Sequence, residues 1–137
     1  MSALTDFFVS EFEDAEVVEK TLKLGGKEKL MKFKAISAAK GDELRKSCRR
    51  VKTIKGVRQV ETDQDAYIAK LITETTVYPD FKDAELQKNW GVMGAVELLE
   101  AMKQKMLDGE YGDLAQFVQE VNGYQVDINE LAEEVKN

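Results

Sequence analysis

The sequence has no histidine, one cysteine and one proline among 137 residues. Without histidine, the chain lacks the base of Ser–His and Cys–His nucleophiles and the commonest metal ligand. The single cysteine, Cys48, cannot form an internal disulfide, which fits a reducing cytosol. No run approaches the ~20 apolar residues that cross a bilayer, and Asp6 stands where an export signal carries basic residues. These absences predict a soluble, cytoplasmic protein without a membrane partner.

Motifs for catalysis and cofactor binding are also missing. The chain contains neither Gly-x-Gly-x-x-Gly nor Gly-x-x-x-x-Gly-Lys, the glycine patterns that bind phosphates. Five carboxylates that could serve glycoside hydrolysis lie close in sequence: Asp63, Asp65, Asp80, Asp83 and Glu85. Asp63 and Asp83, however, stand at predicted helix starts, where an acid interacts with the positive end of the helix dipole. We therefore predict a protein that is not an enzyme, has no catalytic residues and requires no metal or other cofactor.

The net charge of −6 is unevenly distributed along the chain. Residues 1–58 carry 14 Lys/Arg and 9 Asp/Glu, whereas residues 59–137 carry 6 and 17. Because nucleic-acid binding depends on neutralising phosphates, the acidic total disfavours a general affinity for nucleic acid. The acidic second half suits solubility or a basic partner.

Residues 40–58 form a strongly basic segment, with eight Lys/Arg against Asp42 and Glu43. A nucleic-acid-binding protein would use this segment, and retention on heparin that fades with salt would reveal it. No aromatic residue interleaves with the basic ones, although single-strand binding relies on aromatic stacking. We interpret the segment as a solvated face, or as a surface that meets the protein's own acidic part. Its cations also permit a redox-sensing thiol at Cys48, with simple packing against a hairpin as the alternative.

Alternating apolar residues predict a first β-hairpin near the start of the chain. Its strands are residues 17–24 and 28–36, separated by Gly25-Gly26. Two consecutive glycines accept the positive φ angles of a tight hairpin turn. The lysines on the outer face would discourage edge-to-edge pairing with other chains.

A second hairpin is predicted at residues 51–54 and 57–61, around a Lys-Gly turn. Between the two hairpins, residues 37–49 predict a short helix that starts near Gly41 or Asp42.

From residue 62 onward, apolar residues recur with the spacing of amphipathic helices. Four helical stripes are predicted: Ile68, Leu71, Ile72 and Thr75; Val92, Val96, Leu99, Met102 and Met106; Leu114, Phe117, Val118 and Val121; and Ile128, Leu131, Ala132 and Val135. Residues 83–90 predict one more short helix. The predicted helix ends are Pro79, Gly91, Gly109 and Gly123, and the predicted starts include Asp83, Asp113 and Asp127.

The order of these elements, strands first and helices after, determines the predicted fold class. Parallel strands would need crossover connections, so antiparallel pairing is expected. We predict an α+β fold with N-terminal antiparallel β-hairpins followed by a carboxy-terminal cluster of short helices. The chain length suits one domain over residues 1–137, β-rich over 17–61 and helical over 62–137.

Large apolar residues are crowded in the helical part of the chain. Not every helix face can point inward in so small a domain. Methionine and aromatic side chains adapt to varied apolar partners. We therefore predict a protein-binding surface whose members are Trp90, Met93, Met102, Met106, Tyr111, Phe117 and Tyr124.

One long run of the sequence is distinctive: residues 78–95 read YPDFKDAELQKNWGVMGA. Shorter runs accompany it at residues 43–48 (ELRKSC), 109–111 (GEY) and 121–124 (VNGY). Together they resemble the XkdN-like family of phage tail assembly chaperones, from about the first hairpin to the last helix. The PDFKDAELQ and GVMGA strings are the most specific parts. Asp108 departs from the pattern, because a proline is expected before the Gly-Glu pair.

The resemblance implies a non-enzymatic assembly role in tailed phages or prophages. Such chaperones bind the long tape measure protein before the tail tube polymerises around it. The implied partners are therefore the tape measure protein and, in addition, the tail tube protein. The implied location is the host bacterial cytosol, and a chaperone would be absent from the mature virion. A minor structural tail or virion protein, which would remain in purified particles, is the alternative, and a homo-oligomer is left open.

Overall fold

The computed structural model describes residues 3–124, in which five strands and five helices follow two short 3-10 turns at Leu4–Phe7 and Val9–Glu11. The strands are β1 (Val17–Leu24), β2 (Lys27–Lys34), β3 (Arg49–Ile54), β4 (Val57–Thr62) and β5 (Thr76–Tyr78). The helices are α1 (Ala38–Ser47), α2 (Gln64–Thr75), α3 (Ala84–Asn89), α4 (Ala95–Lys103) and α5 (Asp108–Val121). Antiparallel strands in the first half and helices mostly in the second confirm the predicted α+β fold.

Both predicted hairpins are confirmed. β1 and β2 pair antiparallel along their whole length, and the turn residues Gly25 and Gly26 have φ angles of 63° and 83°. These left-handed angles are the ones that glycine adopts without strain. β3 and β4 form a separate two-stranded sheet, with Arg49 opposite Thr62 at its base.

Helix α1 begins earlier than predicted. It starts at Ala38, because the Ser37 side chain caps it by accepting the Lys40 backbone N–H at 3.0 Å. The predicted start near Gly41 or Asp42 is therefore wrong. At α2 and α3, Asp63 and Asp83 are N-caps, and they accept the N–H groups of Ala66 and Leu86.

Helix α2 ends at Thr75, so the predicted end at Pro79 is wrong. Residues 76–78 leave the helix and form β5, which pairs antiparallel with β2. Lys32 lies opposite Tyr78 and Phe33 opposite Thr76. The open edge of β2 supplies backbone partners to this β-branched and aromatic stretch, and that pairing overrides the helical continuation.

The connection between α4 and α5 also differs from the prediction. Helix α4 ends at Lys103, and α5 begins at Asp108, so Gly109 lies in the first turn of a helix instead of stopping one. Asp113 lies inside α5 and is not its cap. The N-cap is instead Leu107, six residues earlier than predicted, and the Glu110 carboxylate accepts the Leu107 backbone N–H at 2.9 Å.

A hydrophobic core joins β2 to the helices. Its fully buried side chains include Met31, Phe33, Leu71, Ile72, Phe81, Leu98, Leu99, Leu114 and Val118. The Phe117 ring packs edge-on against the Phe33 ring, with 5.1 Å between their centroids. The hairpin β3–β4 stands apart, because every residue of β3 is exposed. The last predicted helix, around Asp127 and the stripe from Ile128 to Val135, lies outside the described residues.

Candidate functional site

An open apolar groove of about 500 Å³ lies where the first hairpin meets β5, α3 and α4. Met31 and Phe81, each 1% exposed, contribute its most deeply buried side chains. Leu30 and Tyr78 are half exposed, which leaves apolar surface accessible along the groove. Its lining consists of Leu24, Gly25, Lys29, Leu30, Met31, Tyr78, Pro79, Phe81, Trp90, Met102, Lys105 and Met106.

The lining of the groove contains few charged residues. Its only charged lining residues within the described chain are Lys29 and Lys105, and both are exposed. The lining offers apolar contact area and two cations, without a carboxylate. The arrangement therefore suits binding of an apolar segment that carries acidic residues.

The loop that carries Phe81 is held by side-chain hydrogen bonds. The Gln87 amide donates to the Phe81 carbonyl at 2.8 Å, and its carbonyl oxygen accepts the Gly94 backbone N–H at 2.9 Å. Asp80 accepts the Lys82 backbone N–H at 2.9 Å. One side chain in the PDFKDAELQ string thus connects the loop before α3 to the loop before α4, and it fixes one wall of the groove.

Glu110 holds Gly25, which lines the groove. The residue is 7% exposed, and its carboxylate accepts the backbone N–H groups of Gly25 at 3.0 Å, Gly26 at 3.2 Å and Leu107 at 2.9 Å. The hydrogen bonds from Leu107, Gly26 and Gly25 lower the pKa of Glu110, against the opposing effect of burial. The first hairpin turn is thereby tied to the start of α5.

We expect Glu110→Gln to weaken the fold and to flatten its acid sensitivity. A lowered folded-state pKa means that the carboxylate stabilises the protein above its ordinary pKa of 4.5 and that this stabilisation is lost as the pH falls through the lowered value. Urea unfolding followed by circular dichroism from pH 7 to pH 3 should show a smaller loss of stability for E110Q. The exposed control E85Q should keep the wild-type slope, and identical slopes for E110Q and wild type would contradict this role.

Asn122 joins three parts of the fold. Its side-chain oxygen accepts the Ile36 backbone N–H at 2.9 Å, and its amide donates to the Thr75 hydroxyl and the Val118 carbonyl, each at 2.9 Å. These bonds connect the segment after β2 to the ends of α2 and α5. The VNGY string therefore includes a structural cross-link.

Of the seven residues predicted to form the binding surface, three lie together in the groove. Trp90, Met102 and Met106 line it and are partly buried. Leu30 and Tyr78, which also line the groove, were not predicted as members of the surface. They belong to strands, whereas the predicted surface was taken from the helical part of the chain. The signal that could have found this wall is the YPDF string, which supplies three lining residues within four positions.

The structure places the other four members elsewhere. Met93 is 88% exposed in the loop before α4. Tyr111 is half buried, with the Lys103 ammonium 4.3 Å from its ring centroid. Phe117 is partly buried and packs edge-on against Phe33, and the Tyr124 hydroxyl lies 2.9 Å from that of Tyr67. Participation of all seven in one binding surface stays a prediction.

The basic segment 40–58 is partly neutralised by nearby acids. Arg45 pairs with Asp42 and donates to the Tyr67 hydroxyl. The Glu61 carboxylate accepts hydrogen bonds from Lys52 at 3.0 Å and Arg50 at 2.9 Å, and these bonds lower the pKa of Glu61. Several cations of the segment therefore already have intramolecular partners, which reduces the number free to contact phosphate.

Cys48 lies at the end of α1 and is 5% exposed. It belongs to the core cluster, together with Leu44 and Tyr67. Burial restricts access of oxidants to a thiol, so the packing interpretation of this residue is the better supported one.

Between residues 3 and 124, no three His, Cys, Asp or Glu side chains are grouped so that they could hold a metal ion. No helix in the same range has the length and apolarity to span a membrane.

Known proteins resemble this chain over most of its length. Residues 4–136 match the family model described as phage XkdN-like tail assembly chaperone protein. Two proteins of Bacillus subtilis (strain 168) align over 106 residues, which is 77% of this chain and 70% of each relative: YqbN at 37% identity and the phage-like element PBSX protein XkdN at 32%. The crystal structure of YqbN matches with a TM-score of 0.67 and 28% identity, covering 91% of this chain and 99% of the other.

Proposed function

The chain belongs to the XkdN-like family of phage tail assembly chaperones, and we propose that it binds the tape measure protein and hands it over during tail tube assembly. The role is non-enzymatic and requires no cofactor. It is carried out in the host bacterial cytosol, and the protein is absent from the mature virion. The observation that supports this proposal is the open apolar groove, with Trp90, Met102 and Met106 in its lining.

The size and lining of the groove suit a helical partner segment. Its volume of about 500 Å³ accommodates a few large apolar side chains, such as those that project from one face of a helix. A tape measure protein is long, largely helical and rich in apolar segments that aggregate when left exposed. Lys29 and Lys105 would pair with acidic residues beside the apolar face of such a segment.

The open shape of the groove also suits release. Leu30 and Tyr78 are half exposed, so a bound segment would remain partly solvated. The lining supplies apolar contact and no array of polar groups that would hold one orientation. Such contacts give moderate affinity, which allows tail tube protein to displace the chaperone.

Co-expression of the tape measure protein with this chain tests the proposal. We expect the tape measure protein to move from the insoluble to the soluble fraction and to copurify with the tagged chaperone. Purified virions should lack the chaperone when digested and analysed by mass spectrometry. A tape measure protein that stays insoluble and fails to copurify would contradict the binding role, and a stoichiometric signal in virions would favour a structural tail protein.

A further inference from the structure

The segment from Leu4 to Asp14 is acidic and rich in large apolar residues. It carries four acids and no Lys or Arg. Every residue of the segment is exposed, although its two 3-10 turns are defined. Its exposed large apolar side chains are Leu4, Phe7, Phe8, Val9 and Phe12. Five such side chains in eleven residues form an apolar surface that is costly to leave in water.

The hairpin β3–β4 is positively charged and, like the acidic segment, has exposed apolar side chains. Residues 49–62 carry five Lys/Arg and one acid, Glu61. Its exposed apolar residues are Val51, Ile54, Val57 and Val60. A two-stranded sheet without a covered face is marginally stable in water. Both strand edges also remain open for further pairing within the described chain.

The strand register divides the hairpin into two different faces. Arg50 and Lys52 lie on one face with Glu61, and both pair with it. The other face carries the Val51–Val60 cross-strand pair between two arginines, Arg49 and Arg58. Neither of these arginines has an acidic group within 4.0 Å among residues 3–124. This second face is therefore apolar at its centre and positively charged at both ends.

We propose that the acidic segment of one copy of this protein docks on the Val51–Val60 face of the hairpin in a second copy. Phe12 lies between two acids, Glu11 and Glu13, which matches an apolar pair that lies between two arginines. Docking would cover apolar side chains of the segment together with the Val51–Val60 pair, and it would pair their charges. The occupant is a second copy because, within one copy, the segment leaves all its large apolar side chains exposed.

The proposed contact joins two different surfaces, and each copy carries both the acidic segment and the Val51–Val60 face. Two copies that exchange segments form a closed dimer, and copies that do not close form a chain. The proposal uses neither the apolar groove nor the tape measure protein, so it stands or falls independently of the proposed function.

Sedimentation velocity of the full-length protein over a range of concentrations tests the proposal. We expect wild type to self-associate, and both E11R/E13R and R49E/R58E to weaken association by roughly tenfold or more, because attraction is replaced by repulsion. The variant that combines all four changes should self-associate again, since the charges of the two surfaces are again opposite. The control K27E/K88E changes two exposed lysines elsewhere and should associate as wild type does.

Several outcomes would overturn the proposal. Wild type that is monomeric at every concentration would mean that the hairpin is not covered by a second copy. If K27E/K88E weakened self-association equally, the effect would be one of general charge. If the variant with all four changes stayed dissociated, these charges would not meet. E11R/E13R changes only an exposed segment outside the core, so its result does not depend on the folding of the hairpin variant.

Discussion

The double replacement L30D/Y78D should abolish solubilisation of the tape measure protein in the co-expression assay. Both side chains line the groove and are half exposed, so aspartate is tolerated in the free protein. Binding of an apolar segment would bury these two carboxylates without partners, which costs free energy. We expect the affinity to fall about 100-fold, close to 3 kcal/mol. Copurification and the soluble fraction of the tape measure protein measure the effect.

The matched control for this experiment is M93D. Met93 is 88% exposed and belongs to the predicted surface, but it does not line the groove. It should retain full solubilising activity. Thermal melts should show that both variants are folded. If M93D loses activity while L30D/Y78D keeps it, the partner binds the loop before α4 and the groove assignment is wrong.

Replacing Asn122 by alanine should destabilise the fold more than any surface change of similar size. The replacement leaves the Ile36 N–H without its acceptor and removes the amide that donates to Thr75, whose side chain is fully buried. An unsatisfied buried polar group costs about 1–3 kcal/mol. We expect N122A to lower the free energy of unfolding by about 3 kcal/mol in urea titrations.

Asn89 provides the comparison for N122A. It ends α3 and is exposed, so N89A should stay within about 0.5 kcal/mol of wild type. A loss below about 1 kcal/mol for N122A would mean that water replaces its hydrogen bonds at little cost. The cross-link would then contribute little to joining α2 and α5.

Local sequence signals predicted much of the fold and part of the candidate site. The Gly25-Gly26 turn, the two hairpins and the capping of α3 by Asp83 depend on residues that are neighbours in the chain. Crowded apolar side chains identified Trp90, Met102 and Met106, which line the groove. The predicted single domain over residues 1–137 stays a prediction.

Other features depended on residues far apart in sequence. Strand β5 exists because β2 presents an open edge, and the paired residues are 43 and 46 positions apart in sequence, which no local pattern reveals. The start of α5 involves Glu110, which also contacts a turn 84 and 85 residues earlier. The groove likewise requires the first hairpin beside α4.

By itself, the sequence determined the α+β class, the hairpin turns, the charge distribution and, through its motifs, the family. These properties follow from short-range geometry and composition, which each stretch of chain expresses without reference to the rest. Only the tertiary structure decided which apolar side chains are core and which remain open to a partner. That division depends on which surfaces meet, because a side chain such as Phe117 is partly covered by Phe33 of a distant strand, whereas Leu30 on the same strand is left half exposed.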